Sequence, residues 1–257
     1  MRVKKVDLTD LETTYCCMDE VPPGVSWAET VPESRKWLRN NLSKHVEGYH
    51  IFDGEKVVGH IYYASSEKAL IPYEMEPKVA CIYCTEMLKD YMHKGHGKLM
   101  FDYMKKDLKN QGYKGIMIPA TSLKEWMHYE LFLKQGFRVI MEHPPFYKVM
   151  YYPLEAENIS IKVIDLNYAP SKEKVEVTLF GNFFCPVGAH MHHLIKRVAQ
   201  SFGDQVKIVE MESTLVNVRR YGTSEPLING KIKLPGPASE DDVRKAIDEE
   251  IEQFKAS

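Results

Sequence analysis

β-forming apolar residues crowd both sides of Asp53-Gly54 in the stretch 49–64, Tyr-His-Ile-Phe-Asp-Gly-Glu-Lys-Val-Val-Gly-His-Ile-Tyr-Tyr-Ala. Two such segments around an Asp-Gly turn predict a hairpin. Upstream, Trp37, Leu38 and Leu42 stand among charges, which predicts a short amphipathic helix over 27–42, and Pro22-Pro23-Gly24 breaks the chain before it. Residues 79–88 form an apolar strand. The pattern then changes to helical spacing over 98–110, with Leu99, Met100, Tyr103, Met104 and Leu108 on one side and Gly112 as the stop. A strand at 115–119, a helix at 124–135 ending at Gly136, and paired strands at 137–143 and 146–152 complete a mixed α/β pattern.

Residues 155–174 are mostly polar apart from 159–166, and Pro170-Ser171 precedes a new strong strand at 175–184. This places a boundary between a domain at 1–160 and a smaller one at 172–257. The second orders as strand, helix (189–202), strand (206–211), a short helical or irregular stretch, a hairpin at Asn229-Gly230 and an acidic helix over 239–254. Ser239 is its N-cap, with Asp242 three residues on. A chain of 257 residues has room for two such cores.

With 44% hydrophobic and 27% charged residues, the composition is that of a globular protein. A net charge of −2 gives no whole-chain attraction to nucleic acid or anionic membrane, so neither is an expected partner. The first residues lack the apolar run of a secretory signal, and a cytoplasmic location is expected. The five cysteines, Cys16, Cys17, Cys81, Cys84 and Cys185, suggest reduced thiols and no disulfide scaffold. Cys81 and Cys84 lie three apart in a strand, which predicts opposite faces, and their spacing to His93 and His96 is too short for a zinc site. No metal is expected. Trp27, Trp37 and Trp126 are expected in the core.

The segment Met87-Leu-Lys-Asp-Tyr-Met-His-Lys-Gly95-His-Gly97-Lys98 joins a strand to a helix. Free N–H groups at a helix N-terminus, with the positive end of its dipole, bind a diphosphate, and Lys94 and Lys98 add charge. Met92, His93, Lys94, Gly95, His96 and Gly97 resemble the acetyl-CoA-binding signature of the GNAT superfamily, Arg/Gln-x-x-Gly-x-Gly/Ala after its fourth strand. Phe132-Leu-Lys-Gln-Gly136-Phe137 is similar to the family's Tyr-x-x-x-Gly-Phe ending of a later helix. The resemblance covers most of residues 1–155. It implies the GNAT acyltransferase fold, with a central mixed, mostly antiparallel sheet, and acetyl transfer from acetyl-CoA to a primary amine of a small molecule or peptide by direct attack. It implies cofactor contacts at Met87, Leu88, residues 92–98 and Phe132; a homodimer is compatible with it.

The sequence departs from that pattern at Met92, His93 and His96. It departs also at Phe132, where the family's tyrosine often serves as general acid, and at Glu125, where asparagine is frequent. Tyr129, one turn earlier, is the substitute acid. For the base, Glu86 and Cys84 share one face of their strand by period two. A CoA-binding sensor or interaction protein without catalysis is the alternative these departures leave open.

Asn182-Phe-Phe-Cys185-Pro-Val-Gly188 ahead of a helix resembles the active-site turn of thioredoxin-like proteins, with Gly188 in place of the second cysteine. The later Pro226 and the hairpin add to the likeness. A tail of this kind is similar to the YoaP-like extension of some bacterial GNAT proteins. A helix N-terminus is expected to lower the Cys185 thiol, leaving monothiol redox work as an alternative to a structural or substrate-shaping role. His190 and His193 sit together at the edge of the following helix, beside the stripe Met191, Leu194, Ile195, Val198 and Phe202, and are expected to be solvated.

Overall fold

The computed structural model describes residues 1–20, 26–124, 126–144, 146–234 and 236–256, in two units. In the first, seven strands lie in one sheet: β1 (Arg2–Lys5), β2 (Glu47–Asp53), β3 (Lys56–Ser65), β5 (Val79–Met87), β6 (Gly115–Thr121), β7 (Arg138–His143) and β8 (Tyr147–Pro153). Their order is β1-β2-β3-β5-β6-β8-β7, and β5–β6 is the parallel neighbour pair in an otherwise antiparallel sheet. The expected mixed, mostly antiparallel architecture is present. Gly54 takes φ +57° at the β2–β3 turn, as the Asp-Gly step predicts.

One face of the sheet is covered by α2 (His96–Asn110), whose Met100, Phe101, Met104 and Leu108 join Tyr49, Ile51, Ile61, Tyr63, Ile82, Ile116 and Ile118 in one core. Met100, Met104 and Leu108 were read from the sequence; Leu99 and Tyr103, expected with them, are exposed, and Phe101 takes their place in the core. The helix begins at His96, two residues earlier than its apolar spacing indicated. A small sheet of β4 (Tyr73–Met75) with β9 (Ile161–Val163) was not foreseen, since three residues are too few to show a period.

The helix expected over 124–135 is reduced to α3 (Tyr129–Leu133). Thr121 intervenes: its N–H donates to the Met127 carbonyl and its hydroxyl to that of Trp126, while Met127 adopts φ +47°. A turn closed by a threonine side chain replaces the first helical turns. It leaves Trp126 41% exposed, correcting its expected place in the core, whereas Trp27 and Trp37 are half-buried.

The second unit takes residues 26–37, 70–72 and 164–256. β10 (Val175–Gly181) lies between β11 (Val206–Glu212), parallel, and β12 (Leu227–Ile228), antiparallel, with α4 (Pro186–Ser201), α5 (Leu215–Tyr221) and α6 (Glu240–Ala256). α4 starts at Pro186, three residues before the start expected at Ala189, because proline suits the first helical position. Asn229 and Gly230 both take positive φ, as the hairpin requires, and buried Glu250 of α6 accepts from Asn229 Nδ2 and Lys231 Nζ. At Ser239 the cap is reciprocal: Asp242 N–H donates to the serine hydroxyl oxygen, and Ser239 N–H to the Asp242 carboxylate.

Residues 26–37 group here because they lie against α4. Thr30 Oγ1 donates to the Pro186 carbonyl at 2.7 Å, His193 Nε2 is 2.7 Å from Glu33 Oε2, and Trp37 meets Phe184 edge-on. They include the first part of α1 (Val31–Asn41). Among the described residues no helix is long and apolar enough to cross a membrane.

Candidate acyl-transfer site

β5 and β6 pair at Val79–Gly115, Ala80–Ile116 and Cys81–Met117 and then part, while β5 stays paired with β3 as far as Met87. Leu88 N–H donates to the Val58 carbonyl at 2.9 Å, one step past the Gly59–Met87 pair. Hydrogen-bonded and non-bonded pairs alternate in an antiparallel ladder, so the N–H and C=O of Thr85 and Met87 point away from β3, into the parted edge. Met87 N–H finds the Glu86 carboxylate at 3.1 Å. The backbone of Met87 is therefore placed to meet an extended ligand. Leu88, expected beside it, is not: its N–H goes to Val58, its carbonyl to Tyr91 N–H, and its side chain is buried.

From Leu88 the chain makes one 3-10 turn (Lys89–Tyr91) and reaches α2 through His93 at φ +58° and Gly95 at φ +83°. Tyr91 Oη donates to Asp53, and Lys89 N–H donates to Glu20 Oε1 at 2.7 Å, anchoring the loop at both sides. The first helical bond is Leu99 N–H to the Gly95 carbonyl. Among the described residues no protein acceptor takes the N–H of residues 93–98, and Gly95 provides no side-chain cap. A Cβ placed on Gly95 or Gly97 would meet nothing within 4 Å. An array of amides at the head of a fifteen-residue helix, with room beside both glycines, fits a diphosphate. Met92, His93 and Lys94 are exposed, and His96 is half-exposed. The Lys98 ammonium is held 2.5 Å from Asp102.

A bulge decides which side chains face the sheet's other side. Pairing shifts from Tyr63–Ile82 to Tyr62–Cys84, so Tyr83 is a surplus residue in β5. Ala80 and Ile82 point at α2; beyond the bulge Thr85 and Met87 do so, and Cys84 and Glu86 take the opposite face with their partners Tyr62 and His60. Cys81, partner of Ala64, is on that face too. The expectation that Cys81 and Cys84 point to opposite faces is corrected by this one residue. Cys81 Sγ lies 3.6 Å from Met75 Sδ, and Cys84 Sγ 3.5 Å from His60 Nε2. Among the described residues no group of three His, Cys, Asp or Glu side chains is arranged to hold a metal.

Burial pushes the Glu86 carboxyl up; the Met87 N–H opposes this and Glu20 adds to it. A carboxylate so raised is a better proton acceptor near neutral pH than a solvated one. His60 is buried and held down at about 3 by burial, with a smaller contribution from His50. Neither His60 nor its other neighbour, Cys16, was singled out from sequence. Their proximity to Glu86 depends on strand register, for which sequence spacing gives no signal.

Phe132, expected at the cofactor, is instead fully buried, edge-on to Phe101 and Phe137. A phenyl with no accessible surface offers no face to a ligand, so it is a core residue. Tyr129 opens α3, half-buried, with Lys148 Nζ 5.0 Å from its ring centre. Glu125 lies outside the described residues.

In the second unit Cys185 is the N-cap residue of α4. Its thiol was expected to be lowered; burial instead raises it, outweighing the Gly188 and Val187 N–H groups, and Glu225 pushes the same way as burial. His193 pairs with Glu33, and His192 is buried with Nε2 3.3 Å from Glu210. The picture of solvated helix-edge histidines is thus modified at His193 by this pairing. A Cβ on Gly188 would sit 3.9 Å from Cys185 Cβ, inside the range of disulfides. Gly188→Cys is expected to form a disulfide with Cys185 on mild oxidation, seen as the loss of two thiols per chain; persistence of both thiols would contradict this geometry.

No protein-family model matches the chain, and no curated protein is significantly similar to it. Solved structures are similar over about three-fifths of it. The ribosomal-protein-S18-alanine N-acetyltransferase of Escherichia coli is 12% identical, with TM-score 0.44, covering 61% of this chain and 96% of its own. PaiA N-acetyltransferase of Thermoplasma acidophilum, in complex with coenzyme A, is 15% identical, with TM-score 0.44 and coverage of 60% and 99%. An acetyltransferase of the GNAT family from Streptococcus pneumoniae is 12% identical, with TM-score 0.43 and coverage of 60% and 98%.

Proposed function

We propose that the first unit is a GNAT-type N-acetyltransferase that moves an acetyl group from acetyl-CoA to a primary amine of a small molecule or peptide. The observation that carries this reading is the coincidence of two features at one end of β5. Its backbone is not paired with β6 beyond Cys81, with the Met87 N–H held only by the neighbouring Glu86 carboxylate, and six free N–H groups follow at the head of α2. Residues 93–98 hold the diphosphate of the co-substrate, and the edge of β5 aligns its amide-bearing arm. The amine nitrogen attacks the thioester carbonyl, the N–C bond forms, the C–S bond breaks, and Glu86 takes the amine proton. The departing thiolate leaves as such or takes a proton from Tyr129; a thiol with a pKa of about 8.5 is a tolerable leaving group.

The second unit has a strand-helix-strand start and a helix-capping cysteine, which support a thioredoxin-like ancestry. The raised Cys185 thiol favours a structural or substrate-shaping part over redox work. Incubation with acetyl-CoA and a panel of amines, following free thiol, is expected to show amine-dependent CoA release. Tight CoA binding without release on any amine would replace the transferase reading with that of a sensor.

A further inference from the structure

Glu86 does not stand alone on its face of the sheet. It is the cross-strand partner of His60, and His60 is the partner of His50, so one row of titratable side chains crosses β5, β3 and β2. His60 is buried, and both its ring nitrogens are occupied: Nε2 by Cys84 Sγ at 3.5 Å and Nδ1 by Cys16 Sγ at 3.4 Å. The Tyr62 ring lies 4.6 Å away. A neutral imidazole has one donor and one acceptor, so one thiol donates to the ring and the other receives from it. The ring is thereby fixed from two elements, the strand β5 and the 3-10 turn Cys16–Glu20.

The charges around the Glu86 end of this row are of one sign. Glu86 is faced by Glu20 of that turn, by Cys16, by His60, and by Cys84 on its own strand; Asp19 and Glu20 act on Cys16 as well. His50 is faced by Asp10 and Lys4, with Tyr62 Oη 2.9 Å from its Nε2. Among the described residues no ion pair involves Asp19, Glu20 or Glu86. A cation next to Glu86 would stabilise its carboxylate and make it a weaker base.

Resting on the transferase reading, we infer that His60 is a positioning residue for acyl transfer: an uncharged ring, held by two thiols, that fixes Cys84 beside Glu86 and puts no positive charge next to that carboxylate. Glu86, and not an imidazole, then takes the amine's proton. Burial enforces the uncharged state, since it places protonation of His60 at about 3.

The test compares the full chain with His60→Gln, which keeps a donor and an acceptor without charge, and with His60→Leu, which keeps neither. His60→Phe, which also keeps neither, substitutes if the leucine variant does not fold. The leucine change is expected to lower kcat about tenfold with KM for acetyl-CoA unchanged. It also makes the row more apolar, so the acid limb of the kcat profile moves up by about half a pH unit. In His60→Gln the limb stays where it was, with kcat within about threefold of the starting enzyme. Amine-dependent turnover that is identical in all forms, with an unmoved limb, overturns the inference alone. Absence of turnover in the unaltered chain overturns the transferase reading and this inference with it.

Discussion

Gly97→Glu is expected to weaken coenzyme A binding by about 100-fold, or roughly 2.7 kcal/mol, without destabilising the protein. The helix position is the reason the two effects separate. Gly97 is the second residue of α2, in ordinary helical backbone, and a Cβ there meets nothing within 4 Å. Glutamate has a better helix propensity than glycine and is favoured by the dipole in a first turn, so the melting temperature should hold or rise. The same carboxylate stands where a diphosphate would, and repels it. Titration calorimetry with coenzyme A, paired with thermal melts, reads both quantities; unchanged affinity would mean that the amides of residues 93–98 are not the anion site. Gly95 is the harsher position, because φ +83° strains any side chain whatever the space.

The second large effect is in the core. Phe132→Ala is expected to cost about 4 kcal/mol, by removing a fully buried ring from between Phe101 and Phe137. For a unit of this size that lowers the melting temperature by about 10 °C. Phe132→Tyr should cost about 1–3 kcal/mol for a hydroxyl buried without a partner, and should not raise turnover. Increased turnover in the tyrosine variant would show that the ring edge reaches the reacting groups and would return this position to the site.

The elements that sequence revealed are those whose signal is local. The Asp53-Gly54 hairpin, the stripe of α2, the Ser239 cap and the glycine loop each carry their cause within a few residues. The shortened α3 was hidden because Thr121, on the preceding strand, closes the turn with its side chain. The Cys185 thiol was misjudged for a related reason: the helix N-terminus is visible in the order Cys-Pro-Val-Gly, whereas the burial that outweighs it belongs to the folded surroundings. Within the candidate site, the amides and Glu86 were legible. The His60–Cys16–Cys84 cluster was not, because 44 residues separate Cys16 from His60 and register alone joins His60 to Glu86.

The surplus residue in β5 has a reach beyond its own strand. Side-chain direction along a strand is set by counting, and Tyr83 changes the count for everything after it. Were it excised, Cys84 and Glu86 would turn beneath α2 among methionines and phenylalanines, and Thr85 and Met87 would take their places. The sidedness of the candidate site thus depends on chain length between two points, and a one-codon deletion would reverse it while leaving every candidate residue in the sequence.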